Sequence, residues 1–122
     1  MLKEQWIKWQ LPANKAIAYR FHSFTENSKE STILLVDSDN AARKLEVTPQ
    51  GLVLAYRKVS FPSKQDIVNW PIFKIINSNF VQFLSDESYG IFSSNDFNHF
   101  TLITIDSTID VVCGLEPVIK IV

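Results

Sequence analysis

At 122 residues, 46% of them apolar and a formal net charge of −1, the chain can bury a core without disulfide or metal staples and is too apolar for a disordered tail. Its apolar runs, such as Ile33-Leu34-Leu35-Val36, fall far short of the about 20 residues that a spanning helix needs, and the opening "MLKEQWIKWQLP" lacks the features of a secretion signal. The expectation is a single domain over residues 1–122, cytoplasmic and away from the membrane. Cys113, the lone cysteine, reads as a small core hydrophobe.

Leu2, Trp6 and Trp9 share a helical face, but Trp6-Ile7-Lys8-Trp9 also fits a strand; residues 2–10 stay open between the two, and Pro12 closes the segment. Ala16–Phe24 alternates Ile17, Tyr19 and Phe21 against Ala18, Arg20 and His22, a half-buried strand. After the polar loop "TENSKES", the β-branched run Thr32–Ser38 predicts a central strand. Lys44–Pro49 alternates again, Pro49-Gln50-Gly51 reads as a turn, and Leu52–Phe61 is the next strand. Ser63 is a cap for a short helix ending near Asn69, because Pro71 disfavours helix before it. Ile72–Ile76 looks extended. Asn77 and Ser78 are candidate caps for a helix over residues 78–88, with a strand as the alternative, and Tyr89-Gly90 stops it. These elements predict an α+β domain: an antiparallel sheet of five or six strands, a meander plus a C-terminal hairpin, with one or two short helices packed on it.

The hairpin holds the most suggestive chemistry: His99, Asp106 and Asp110. With its turn centred on Asp106-Ser107, Phe100, Leu102 and Val111 share an apolar face, and Asp110 falls opposite Ile103. His99 then lies about 13 Å along the strand, too far for a His–Asp pair. Asp106 reads as a turn former. No Gly-rich phosphate loop or nucleophile elbow is present, and two histidines in distant segments make no metal motif. The expectation is no enzyme, no catalytic residues, no metal and no cofactor.

Charge is unevenly spread. Residues 1–60 carry nine Lys/Arg against six Asp/Glu, whereas no Lys or Arg occurs between Ile75 and Ile119. That stretch holds Asp86, Glu87, Asp96, Asp106, Asp110 and Glu116. An acidic half repels nucleic acid and attracts basic partners.

Three stretches, "LEVTPQGLVLAYRKVSF", "NWPIFKIINSNFVQFLSDESYGI" and "NHFTLITIDSTIDVVCGLEPVI", together with Trp6, Lys8, Trp9 and Pro12 near the start, cover most of the chain. The whole resembles the small bacterial immunity proteins of polymorphic toxin and contact-dependent growth inhibition systems. It departs from them at Pro71 and in a shorter link between Phe61 and Trp70. The resemblance implies a non-catalytic antitoxin that neutralises a cognate toxin C-terminal domain, possible targets including nucleases, which are basic because they hold phosphate backbones. The acidic stretch then predicts an interface of Asp86, Glu87, Tyr89, Phe92, Asp96, Asp106 and Asp110. The alternative is a small ligand-binding or metabolic protein with a pocket between sheet and helix.

Overall fold

The computed structural model describes residues 3–11, 18–60, 70–89 and 91–122. The proposed helix from Ser63 to Asn69 lies outside them, as do Pro12 and the start of the strand expected from Ala16. Seven strands form one antiparallel sheet: β1 (Gln5–Lys8), β2 (Tyr19–Glu26), β3 (Ser31–Asp37), β4 (Lys44–Val59), β5 (Ile72–Ile76), β6 (Asn98–Ile103) and β7 (Thr108–Ile121). Their spatial order is β1-β5-β6-β7-β4-β3-β2. Two meanders, β2-β3-β4 and β5-β6-β7, are thus joined by pairing β4 with β7. One α-helix, α1 (Asn79–Glu87), and a single 3₁₀ turn at Ser94–Asp96 complete the described residues.

The class is as expected, but the strand count is seven rather than five or six. Residues 5–8, open between helix and strand, are strand β1. Pro49-Gln50-Gly51 is not a turn. The chain runs on as one 16-residue strand, and the irregularity appears as register shifts against β7 around Gln50 and Val53. Gly51 takes φ 74°, a left-handed conformation that suits glycine, and a Cβ there would meet Leu115 Cγ at 3.2 Å.

The main core lies on one face of the sheet. Ile33 and Leu35 (β3), Leu45 and Val47 (β4), Ile72 (β5), Phe100 and Leu102 (β6) and Ile109, Val111 and Cys113 (β7) all contribute to it. The residues chosen from the hairpin pattern, Phe100, Leu102 and Val111, are therefore core. The sheet curls over this face: Tyr19 of the β2 edge joins the same cluster as Phe100, and Ile105 N–H donates to Tyr19 O at 2.9 Å. The other face carries Phe73, Ile75, His99, Thr101, Ile103, Asp110 and Val112. Burying both faces explains why the C-terminal hairpin reads as nearly continuous apolar sequence.

Helix α1 follows β5 through Asn77, which holds φ 57°, a left-handed turn that asparagine tolerates. Ser78 is the N-cap, its Oγ accepting Val81 N–H at 3.1 Å. Helix is therefore the outcome for residues 79–87. Val81 and the Phe80 ring turn inward, the latter edge-on to His99 with centroids 5.6 Å apart.

Candidate functional site

The register of the last hairpin decides the site. Thr104 N–H donates to Ser107 O at 2.9 Å, so the loop is Ile105-Asp106, one residue earlier than its sequence suggests. Thr104 Oγ1 fixes this choice by hydrogen bonding within the turn, accepting Ser107 N–H at 2.9 Å and donating to Asp106 Oδ1 at 2.8 Å. Asp110 then pairs with Thr101 rather than Ile103, and His99 with Val112. His99 and Asp110 become diagonal neighbours on one face, within side-chain reach. The expectation that they stay apart is overturned: His99 Nε2 lies 2.7 Å from Asp110 Oδ1.

The contact belongs to a longer chain. Ser78 Oγ lies 2.7 Å from His99 Nδ1. On the far side, Arg57 of β4, directly opposite Asp110 in the sheet, donates Nε–H and Nη2–H to Asp110 Oδ2 at 3.2 and 2.9 Å. A carboxylate only accepts, so His99 keeps a proton on Nε2, and in the tautomer with a bare Nδ1 that nitrogen accepts from the Ser78 hydroxyl. The four side chains thus run Ser78–His99–Asp110–Arg57 from the start of α1 across three strands. Burial pushes the Asp110 carboxyl up, but hydrogen bonds and charge from His99 and Arg57 outweigh it and hold the group below the ordinary carboxylate range.

Chemically, a serine–imidazole–carboxylate sequence is the arrangement that activates a hydroxyl nucleophile. Two features bind this one to architecture. The Ser78 hydroxyl already serves α1 as its cap, and the Asp110 carboxylate is shared with a guanidinium. Glu4 adds a further tie, its Oε2 accepting Asn79 N–H, the first amide of α1, at 2.9 Å. The chain therefore fastens the start of α1 to the sheet.

Two concavities flank it. One, about 500 Å³, lies between α1 and β5–β6 and includes Ser78 and His99 in its wall. The other, about 530 Å³, lies between β1 and α1 and is lined by Trp6, Phe80 and Phe83 with Glu4 and Arg57. Sequence reasoning treated Ser78 only as a cap and Trp6 only as part of the opening segment. It gave Arg57, Glu4 and Phe83 no part in a site, because the meeting of β1 with α1 depends on β1 pairing with β5. Among the described residues no group of three or more His, Cys, Asp or Glu is placed to hold a metal ion. Cys113 is buried in the core, its thiol pushed up by burial.

The residues chosen for a partner surface fall into three places. Asp86, Glu87 and Tyr89 lie at the C-terminal end of α1, and Asp96 is in the 3₁₀ turn. The segment between them folds back on the helix. Ser85 Oγ donates to Phe92 O at 2.7 Å, Phe92 N–H to Ser88 Oγ at 3.2 Å, and the Phe92 ring packs edge-on against Phe97. Phe92 is half-buried there rather than presented, while Tyr89 and Ile91 are 96% and 80% exposed. Asp106 sits at the opposite end of β6 from Asp96, roughly 20 Å away by strand rise. Partial burial raises its carboxyl, but bonds from Thr104, Phe21 N–H and Ser107 outweigh this and hold it low. Asp110 is buried in the polar chain. The acids therefore do not form one surface: Asp86 and Glu87 are adjacent at the end of α1, Asp96 is in the 3₁₀ turn, Asp106 is at the far end of β6 and Asp110 is buried. Among the described residues no helix is long and apolar enough to cross a membrane. No protein-family model, curated protein or solved structure compared with the chain matches it.

Proposed function

We propose that the chain is a non-catalytic, cytoplasmic immunity protein that binds and neutralises a basic toxin domain through the C-terminal end of α1 and the segment folded against it. One observation carries this reading: two rules of helix ending are broken at the same exposed spot. The position just past the cap of α1 is left-handed, where glycine or asparagine is usual, yet it holds Tyr89 at φ 56° with its side chain in solvent. The last turn carries Asp86 and Glu87 and no basic residue, against the helix dipole. Local stability is given up for an aromatic flanked by carboxylates. That is the make-up of a binding surface with an apolar centre and a charged rim.

The test has two parts: the neighbouring genes are read for a large secreted protein, and the C-terminal domain of that protein is used in a pull-down with wild type and Tyr89→Ala. Capture by wild type and at least about tenfold weaker capture by Tyr89→Ala are expected, as for an interface hot spot. Equal capture by both removes the surface, and no capture removes the reading.

The cleft between α1 and the sheet favours a second reading, small-molecule chemistry at Ser78. Ser78 Oγ would attack an acyl carbon and pass its proton to His99 Nδ1, which returns it to the leaving oxygen; water then releases the acyl group. A fluorophosphonate probe separates the two. The immunity reading expects Ser78 unlabelled. Labelling that is lost in His99→Ala establishes the second.

A further inference from the structure

We infer that the second half of β7 pairs antiparallel with the same stretch of a second copy of this chain, along the edge that β6 leaves open. β6 accompanies β7 only from Thr108 to Cys113. From Gly114 to Ile121, β7 keeps β4 on one side, and no other strand among the described residues lies on the other. The ladder fixes where the backbone groups aim. Lys44 and Val122 exchange both hydrogen bonds, Val122 N–H to Lys44 O at 2.9 Å and Lys44 N–H to Val122 O at 3.1 Å. Such pairs recur at every second residue of an antiparallel ladder, so Lys120 and Val118 also turn their backbone groups to β4. Ile119 and Ile121 therefore aim an N–H and a C=O away from it, and Pro117, with the same aim, offers a carbonyl alone. Pro117 and Ile119 border a recess of about 400 Å³ that they share with Trp9 and Leu11, so this flank is not packed shut. An open strand edge is a template for another strand.

The side chains choose the occupant. Glu116, Val118 and Lys120 alternate on the exposed face, with Val118 43% exposed. Laid antiparallel on itself about Val118, this stretch sets Val118 against Val118 and each Glu116 against Lys120 of the second copy. Opposite charges directly across a ladder are stabilising. In the same register Ile119 N–H meets the Pro117 carbonyl of the second copy. Each Lys120 then stands between two carboxylates, because Glu46 of β4 is directly across from it on the other side. Pairing about Lys120 or about Glu116 instead opposes like charges, which is destabilising. Pro117 and Lys120 are residue types that keep an edge from pairing indiscriminately; the stretch is its own complement in charge and in backbone aim. A net charge of −1 puts little repulsion between copies. The two outer edges of the sheet offer less. β1 has only four residues, and β2 is broken by a register shift after Phe21, whose N–H is held by Asp106 Oδ1 at 3.4 Å.

The experiment is sedimentation velocity on the full chain over a concentration series, with wild type, Glu116→Lys, Lys120→Glu and an equal mixture of the two variants. Wild type is expected to pass from monomer to dimer below about 1 mM, at the weak end of specific association. Each variant alone sets like charges opposite one another and should self-associate at least about tenfold more weakly. The mixture restores opposite charges at both pairs, so dimer should return. In wild type, which needs no substitution, hydrogen exchange at the Ile119 and Ile121 amides should slow as concentration rises. A chain that stays monomeric overturns the inference and leaves the edge to an extended segment of another protein. Unchanged association of both variants, or no recovery in the mixture, overturns it as well. A dimer whose Ile119 and Ile121 amides exchange as fast as in the monomer places the contact elsewhere and also overturns it.

Discussion

Asp110 shows how a single residue changes meaning with its register. In sequence it is one of six acids in a stretch without Lys or Arg, and it reads as surface. In the fold it is 7% exposed and shared by His99 and Arg57. Nothing in the spacing reveals this, because pairing slid by two residues keeps every side chain on its face and changes only which neighbours are diagonal. The core face was therefore legible and the polar chain was not. The pairing has a pH signature. The folded carboxyl titrates below its unfolded value of about 3.9. Between the two values the unfolded chain binds more protons, so stability is fully present above the unfolded value and is lost as pH falls through the folded one. Urea melts from about pH 6 down to about pH 3 should show wild type losing stability along this arm. Asp110→Asn should start less stable and fall less steeply. Parallel curves would mean that another carboxylate, Asp106 being the nearest in behaviour, carries the arm.

At the scale of elements, two local conflicts mark where pattern reading succeeds and where it stops. Helix α1 was legible from its cap and apolar spacing because both are local, and Ser78 caps it as its residue type implies. Gly51 was read as a hairpin turn because Pro-Gln-Gly is a turn signal. The long strand β7 overrides it by pairing with β4 on both sides of the irregularity. Gly51→Ala should cost about 1 kcal/mol or more, from the positive φ and from contact with Leu115. A loss within experimental error in denaturant melts would show that β4 relaxes freely there. The end of α1 gives the opposite signs. Asp86→Lys should leave the fold as stable or raise it by about 0.3–1 kcal/mol, since a cation suits a helix C-terminus. Tyr89→Gly should stabilise by about 1 kcal/mol by relieving the left-handed conformation. Both should weaken partner binding. A variant that loses stability and affinity together would place the residue in the fold rather than in the interface.

For the whole molecule, class and chain order of strands were within reach of the sequence, and the join between the two meanders was not. Pairing of β4 with β7 is long-range, and no residue type announces it. That join also bears on the electrostatics, since it sets Arg57 opposite Asp110, whereas the length of β6 sets Asp106 apart from Asp96. Asp86, Glu87 and Asp96 are exposed, so they belong to the rim class that governs association rate. Reversing these three to Lys should slow association with a basic partner severalfold and flatten its salt dependence, while Asp106→Lys should change neither. Stopped-flow association at low and moderate ionic strength checks both. An equal effect from Asp106→Lys would indicate a diffuse field instead of a local patch.

Strand β7 comes last of the strands along the chain but lies between β6 and β4 in the sheet. Its partners on β4, from Val59↔Thr108 to Leu45↔Ile121, leave the ribosome long before it does. During synthesis β2-β3-β4 can zip early, and β5 with β6 after it, yet each block presents a bare row of amides and carbonyls until β7 is released. Closing such distant pairs is slow, and open strand edges recruit one another. The period of greatest exposure to aggregation therefore falls before β7 emerges, when two half-sheets wait for the strand that seals both.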